Sequence, residues 1–272
     1  MTGHPKAFHE NFTGSVAESY DRFLGETFFA PFAQDIAQRA AKFAPRRILE
    51  CAAGTGIVTH ALAMALPDAE ILATDLNAPM LEQAKQKTNA FGNVQFAQAD
   101  AQKMQLGDGA FDLVIHQFGI MFFPDRKAHY REARRLLTPN GHLLFSTYDS
   151  LEFNDCPRLA EEALVKLYPE NPPRVISQFP HGYWDRQLIT SEVGSAGFGS
   201  VAINTVEKTC VAPDAFWIAQ GLCLGTPVRG EIMARNPAGM DQAIDAVAQR
   251  IAEALGGQQI NGRMKGLVVT AS

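Results

Sequence analysis

The chain has 272 residues, 46% hydrophobic and 19% charged, which suits one large or two small folded domains with a sizeable core. Its 24 basic and 29 acidic residues give a net charge of −5, which argues against nucleic-acid or anionic-membrane partners. The four cysteines are scattered, residues 1–10 lack the apolar core of a leader, and no uncharged apolar run approaches the ~20 residues of a membrane span, so a reduced, cytoplasmic protein without zinc is expected.

Residues 1–14 are polar and read as loosely held. From Ser15 the positions Tyr20, Leu24, Phe28, Phe32 and Ile36 recur every four residues, a one-face helical spacing. Pro31 is expected to end one helix and stand near the start of the next, which should run to about Phe43. Strands and helices then alternate. Strand segments fall at 46–51, 71–75, 94–97, 111–116 and 142–148. Helices fall at 56–66, at 80–89 behind an Asn77 N-cap with Pro79 in the first turn, and from Pro124-Asp125 to Leu137. Arg131, Arg134 and Arg135, interleaved with Glu132, read as a solvated helix face. Thr138-Pro139-Asn140-Gly141 reads as a turn in which Asn-Gly tolerates positive φ.

After Tyr148 the rhythm breaks. Residues 150–183 are rich in proline and aromatics, with one amphipathic stretch from Leu159 to Leu167. Asp185–Ala196 reads as a helix, and 200–210 and 264–271 as paired strands. Between those strands lies a helical excursion, 212–256, whose clearest part is Met240–Leu255, with Ile244, Val247, Ile251 and Leu255 on one stripe and Gly256-Gly257 as the stop. The whole predicts a doubly wound α/β fold: a mostly parallel, seven-stranded, Rossmann-like sheet with helices on both faces. Residues 1–44 supply N-terminal helices, 45–149 a ligand-binding core, 150–183 an insertion, and 184–272 the rest of the core. The N-terminal helices, the insertion and the excursion are expected to form a helical lid.

Ligands of such sheets bind beyond the carboxyl ends of the strands, where the strand order reverses. Glu50–Gly56, Asp75, Asp100 and His116–Phe118 each follow a strand end and should converge on one rim. The stretch Ile48–Thr59 is a strand, a glycine turn and a helix start. Gly54 and Gly56 there leave room for a ligand to touch the main chain. A dinucleotide fingerprint needs a third small residue, and Gly54-Thr55-Gly56-Ile57-Val58-Thr59 lacks it. Asp75 suits a ribose-binding acid for either kind of nucleotide.

The wider pattern discriminates. Glu50-x-Ala52-x-Gly54-x-Gly56 resembles the first motif of class I S-adenosylmethionine-dependent methyltransferases. Thr74–Leu81, Gln98–Ala101 with Leu106, Gly109–Val114 and Leu136–Leu143 are similar to the next four motifs in order and spacing. The resemblance covers about residues 45–148 and is strongest to the small-molecule group that includes the ubiquinone and menaquinone biosynthesis enzymes. Outside it only Tyr20-Asp21-Arg22 is similar, and Ala52 departs from the usual first glycine.

The resemblance implies S-adenosylmethionine as cofactor. Glu50 would lie beside its cationic ammonium and sulfonium, with Ala52, Gly54, Thr55 and Gly56 along the methionine portion. Asp75 would accept from both ribose hydroxyls and Asp100 from the adenine amino group. Leu76, Met80 and Ala101 would sandwich the ring, Gln117 would touch the ligand after the fourth strand, and Tyr20 would close over it. Ala52, the smallest possible intrusion, should leave the loop intact.

Methyl transfer needs a base only where the acceptor is protonated. His116 is the candidate base, against a histidine that holds a strand end by a hydrogen bond. His181 is a second candidate, against a surface loop histidine. No Asn/Asp-Pro-Pro-Tyr follows the fourth strand, no Pro-Cys stands there, and no acidic pair or His/Cys constellation suits a metal. Amino methylation of adenine or glutamine, cytosine methylation and magnesium-dependent catechol chemistry are thereby disfavoured. Phe118, Met121, Phe122, Phe123, Phe153, Tyr183, Trp184, Phe216 and Trp217 together imply an apolar cavity, hence a small apolar or aromatic acceptor. Two other readings stay open: a regulatory protein that binds the cofactor without transfer, and an NAD-dependent oxidoreductase. Oligomeric state is open.

Overall fold

The computed structural model describes residues 15–272; the expected loose segment 1–14 lies outside them. The helices are α1 (Ser15–Leu24), α2 (Ala30–Ala41), α3 (Ile57–Ala65), α4 (Ala78–Lys87), α5 (Arg126–Leu136), α6 (Asp155–Leu167), α7 (Val175–Gln178), α8 (Arg186–Gly194), α9 (Ala215–Leu224), α10 (Val228–Arg235) and α11 (Met240–Leu255). The strands are β1 (Arg47–Glu50), β2 (Glu70–Asp75), β3 (Val94–Gln98), β4 (Phe111–Gln117), β5 (Leu137–Tyr148), β6 (Val201–Asp214) and β7 (Gln258–Ala271). Two compact units share these elements. The core unit comprises Phe32–Thr147, Tyr183–Val206 and Gly266–Ser272; the helical unit comprises the chain up to Pro31, Tyr148–Gly182 and Glu207–Lys265.

In the core unit the sheet order is β3-β2-β1-β4-β5-β7-β6, and the neighbours from β3 to β5 pair in parallel. At the far edge Ser200 and Ser272 exchange N–H···O bonds of 3.1 Å, an antiparallel pattern. The order reverses between β1 and β4. These two strands are covered on both faces, so they read as apolar runs: Ile48, Leu49, Leu113, Val114 and Ile115 are fully buried. On one face α5 is clamped to α8. The Arg126 guanidinium donates to Glu192 (3.1 Å) and lies 4.3 Å over the Tyr183 ring, while the Tyr183 hydroxyl donates to Glu192 (2.7 Å) and meets that of Tyr130 (3.1 Å).

Three sequence expectations change here. Thr138–Gly141 is not a positive-φ turn but a bulge inside β5: Phe111 pairs with Leu137 and Leu113 with His142, so three residues of β4 face six of β5. Gly141 is required by space, because a Cβ there would lie 3.1 Å from the Phe111 carbonyl oxygen and 2.9 Å from Leu137. Asn77 occupies the N-cap of α4 without a side-chain capping bond, and the helix starts at Ala78. Arg135 is not a solvated charge. It donates to the Leu106 (2.8 Å) and Met104 (3.2 Å) carbonyls and to Glu132 (2.6 Å), and it also pairs with Asp108, pinning the segment before β4.

In the helical unit α1 crosses α9 so closely that a Cβ on Gly221 would lie 2.5 Å from Leu24. Phe23 meets Trp217 edge-on at 4.9 Å, and the Trp217 indole donates to the Phe23 carbonyl (3.0 Å). The predicted stripe of α11 is buried at Ile244, Val247 and Ile251. Pro31 stands at the second position of α2, near the start of that helix as expected, but no gap separates α2 from α1. A π-helical turn, Gly25–Phe29, precedes the proline, with Ala30 N–H reaching back to Gly25 O, so the helix widens ahead of the missing amide and resumes as α2. Strands β6 and β7 also outrun the expected 200–210 and 264–271, so the helices between them begin at Ala215.

Candidate active site

Everything in this site belongs to the core unit. Beyond Glu50 the chain is strung across two neighbouring strands: Cys51 N–H donates to Ile115 O of β4 and Ala53 N–H to Thr74 O of β2, both at 2.9 Å. The loop therefore sits where the strand order reverses. Ala52, Gly54 and Gly56 all adopt positive φ, at 52°, 57° and 82°. The two glycines do different work. A Cβ on Gly54 would meet nothing within 4 Å, which leaves an open cradle. A Cβ on Gly56 would fall 2.8 Å from Ala84, so this glycine serves the packing of α3 on α4 rather than a ligand.

Two acids face this loop. Glu50 is 1% exposed and its Oε2 has no hydrogen-bond partner. Burial pushes its carboxyl up to about 8; hydrogen bonding from Thr59 opposes this, and Asp75 adds to it. Asp75 is also buried, and burial raises its carboxyl against the hydrogen bonds it accepts from Asn77 and Gly54. Its Oδ2 accepts from Gly54 N–H (2.9 Å) and its Oδ1 from Asn77 N–H (2.8 Å). A carboxylate has about four acceptor positions, so roughly two remain for a vicinal diol. Gly56 N–H is taken by Ala53 O (3.0 Å), and with Cys51, Ala53 and Gly54 amides also engaged the loop offers little to a pyrophosphate.

Leu76, just after β2, is 38% exposed, while Met80 of α4 and Ala101, after β3, are buried. Asp100 is exposed, and its Oδ1 accepts from the Gln102 amide (2.9 Å) and side chain (3.0 Å). His129 of α5 fixes the next residue: its Nδ1–H donates to Ala101 O at 3.0 Å, the only sense a carbonyl allows. Thr55 is buried, and Gln117, half-buried, ends β4 opposite Ser146.

The candidate histidines lie elsewhere. His116 is fully buried, stacked on Phe145 at 4.9 Å and flanked by His129 at 4.9 Å and Phe123 at 6.0 Å. Neither ring nitrogen has a hydrogen-bond partner, so the expected strand-end bond is absent, and burial holds the ring far below the usual imidazole range. His181 belongs to the helical unit and is buried rather than on a loop surface, bonded through Nδ1 to Asp149 O at 3.0 Å. Tyr20 is also in the helical unit, stacked on Phe29 at 4.6 Å. Of the aromatics expected to line a cavity, Tyr183 is spent on the Glu192 network, and Trp184 and Phe216 are exposed.

Sequence reasoning missed Thr59 beside Glu50, His129 behind Ala101, and Gly119 beside Ala52. Thr59 had a signal in its place on the first turns of α3. The other two had none, because their partners are distant in sequence. Among the described residues no His/Cys/Asp/Glu group could hold a metal ion, and no helix is long and apolar enough to cross a membrane.

The family described as "Methyltransferase domain" matches residues 49–145. Demethylmenaquinone methyltransferase of Thermus thermophilus is 38% identical over 46% of this chain, and the chain spans little more than half of that relative, 55%. A ubiquinone/menaquinone biosynthesis C-methyltransferase of Pseudomonas paraeruginosa is 30% identical over 61% of this chain and 70% of its own length. Among solved structures, phosphoethanolamine N-methyltransferase 2 of Haemonchus contortus, bound to S-adenosyl-L-methionine, matches all of this chain and 60% of its own with a TM-score of 0.60 at 15% identity, a likeness of fold. The crossover at β1/β4, the acid-ended first strand and these relatives agree: the chain belongs to the S-adenosylmethionine-dependent methyltransferase family.

Proposed function

We propose that the protein transfers a methyl group from S-adenosylmethionine to a small apolar or aromatic metabolite. The observation that carries this is Glu50, a buried carboxyl with an orphaned oxygen at the end of β1, next to a glycine whose side-chain direction is open. Such a group favours a cationic ligand: burial makes its anion costly until a positive charge arrives to compensate. A methionine ammonium and sulfonium supply that charge, and the bound cofactor would contribute an activated methyl group. Asp75 would accept from the ribose diol, while Leu76 and Ala101 offer apolar contact to a base and Asp100 an acceptor at its edge. Gly54 would let the methionine chain lie against the backbone. Thr55 and Gln117 complete the proposed contacts.

The work of these residues is positioning, since sulfonium displacement has a good leaving group. A protein base is required only for a protonated acceptor, and His116, sealed among aromatic rings, offers no accessible lone pair. The acceptor would therefore be one that reacts without proton removal at that site, or with its proton taken by solvent or another group. The quinone-pathway names of the relatives support a small organic acceptor.

Titrating the protein calorimetrically with S-adenosylmethionine, S-adenosylhomocysteine and NAD(H) tests the cofactor; binding of NAD(H) alone would sink the proposal. Incubation with methyl-labelled cofactor and a panel of quinols, phenols and polar metabolites tests transfer. Tight cofactor binding with no label transferred to any acceptor would favour the regulatory alternative.

A further inference from the structure

Ala52 and Gly119 stand on the loops after β1 and β4, the two strands between which the sheet order reverses. Ala52 holds φ at 52°, a left-handed conformation that costs a side-chain-bearing residue about 1 kcal/mol or more relative to glycine. Phe118, the neighbour of Gly119, holds the same φ of 52°. Each strained loop is tied to a strand beside it: Cys51 N–H to Ile115 O at 2.9 Å, and Phe118 N–H to Ser146 O at 3.0 Å.

The two loops also touch. Gly119 has φ of −98°, which any residue can adopt, so its backbone does not require glycine. Space does. A Cβ on Gly119 would lie 2.9 Å from the Ala52 methyl, closer than two carbons can approach, with the Phe123 ring 3.8 Å away. The methyl of Ala52 thus occupies the room that a side chain at Gly119 would need. Glycine at 52 would relieve the strain but remove this contact.

We infer that the Ala52 methyl and the bare Gly119 form a steric pair that sets the distance between the β1 and β4 loops and so positions Gln117, at the end of β4, beside the proposed cofactor site. The inference rests on the proposed cofactor site. Ala52 and Gly119 are positioning residues, and their role predicts opposite effects on stability and binding. Ala52→Gly should raise the unfolding temperature by relieving strain, yet weaken S-adenosylmethionine binding by loosening the β4 loop. Gly119→Ala should weaken binding more by forcing the loops apart. Ala52→Gly/Gly119→Ala restores one methyl to the contact from the other side and should recover most of the loss.

The test is a double-variant cycle on the full chain, read by calorimetric titration with S-adenosylmethionine and by thermal unfolding. Expected are a loss of about threefold for Ala52→Gly and about tenfold or more for Gly119→Ala, within the range of coupling energies between residues in contact. The double variant should return to within about threefold of wild type. A dissociation constant unchanged in Ala52→Gly, or a double variant as weak as Gly119→Ala, overturns the inference. Should Gly119→Ala not fold, Ala52→Gly alone decides, because a purely structural role raises stability and leaves binding untouched. Failure of the wild type to bind S-adenosylmethionine would instead strike the proposed function, and with it this role.

Discussion

Replacing Glu50 by Gln should stabilise the protein, increasingly so as pH rises. In the folded chain this carboxyl lies near 8, against an ordinary value of 4.5, because it is buried without a cation. The folded state therefore keeps a proton that the unfolded state releases. Stability from this group is complete below about pH 4.5 and is lost as pH climbs to about 8. The span corresponds to about 5 kcal/mol in total, with about 2 kcal/mol already lost at pH 6. Gln has nearly the same shape and no proton to lose. Urea unfolding of wild type and Glu50→Gln between pH 5 and pH 9 should show the difference between them growing by about 2–3 kcal/mol from pH 6 to pH 8.5. Parallel curves would refute the reasoning, since they would mean the native carboxyl titrates where the unfolded one does. The same variant should bind S-adenosylmethionine less tightly, because the uncompensated acid is what the cation would relieve.

Asp75→Ala should weaken cofactor binding about ten- to hundredfold by calorimetry, and should also destabilise the fold by about 1–3 kcal/mol because the Gly54 and Asn77 amides lose their acceptor; a variant with unchanged affinity would remove Asp75 from the site. His129 is held near 4 by burial, below its ordinary 6.5, so stability should fall as pH drops from about 6.5 to 4, by about 3 kcal/mol at most from this ring; acid unfolding followed by circular dichroism checks the window. His116→Phe, which removes two unpartnered nitrogens from the aromatic cluster, should fold normally at pH 7 and resist acid better than wild type. Loss of methyl transfer in that variant with fold and cofactor affinity intact would restore His116 as a base. Arg135→Ala should free the Met104–Asp108 segment, and hydrogen exchange at those amides should accelerate while the strand β4 amides stay protected.

The place of the proposed site in the fold was legible because its first element is local. A strand that ends in an acid, a glycine turn and a helix start occupy consecutive residues, and each has a chemical reason visible in the residue types. Asp75 and Asp100 were legible for the same reason: each follows the end of a strand in an alternating pattern, and a parallel sheet brings all such ends to one rim. The errors came where a residue answers to something far away. Asn140-Gly141 looked like a turn because that dipeptide tolerates positive φ, but Gly141 is there to let β5 pass the Phe111 carbonyl. Arg135 looked solvated among like charges, but it reaches carbonyls some thirty residues earlier in the chain.

What the sequence by itself determined is the succession of strands and helices, and with it the rim on which the strand ends converge, because hydrophobic period and glycine spacing are properties of neighbouring residues. The tertiary structure alone decided which groups are charged and which contacts are tight. It left Glu50 without a cation, closed His116 among rings, assigned Gly56 to helix packing and Gly54 to open space, and set the Ala52 methyl against Gly119. Desolvation and van der Waals exclusion depend on atoms brought together from distant parts of the chain, and no local pattern of residues encodes them.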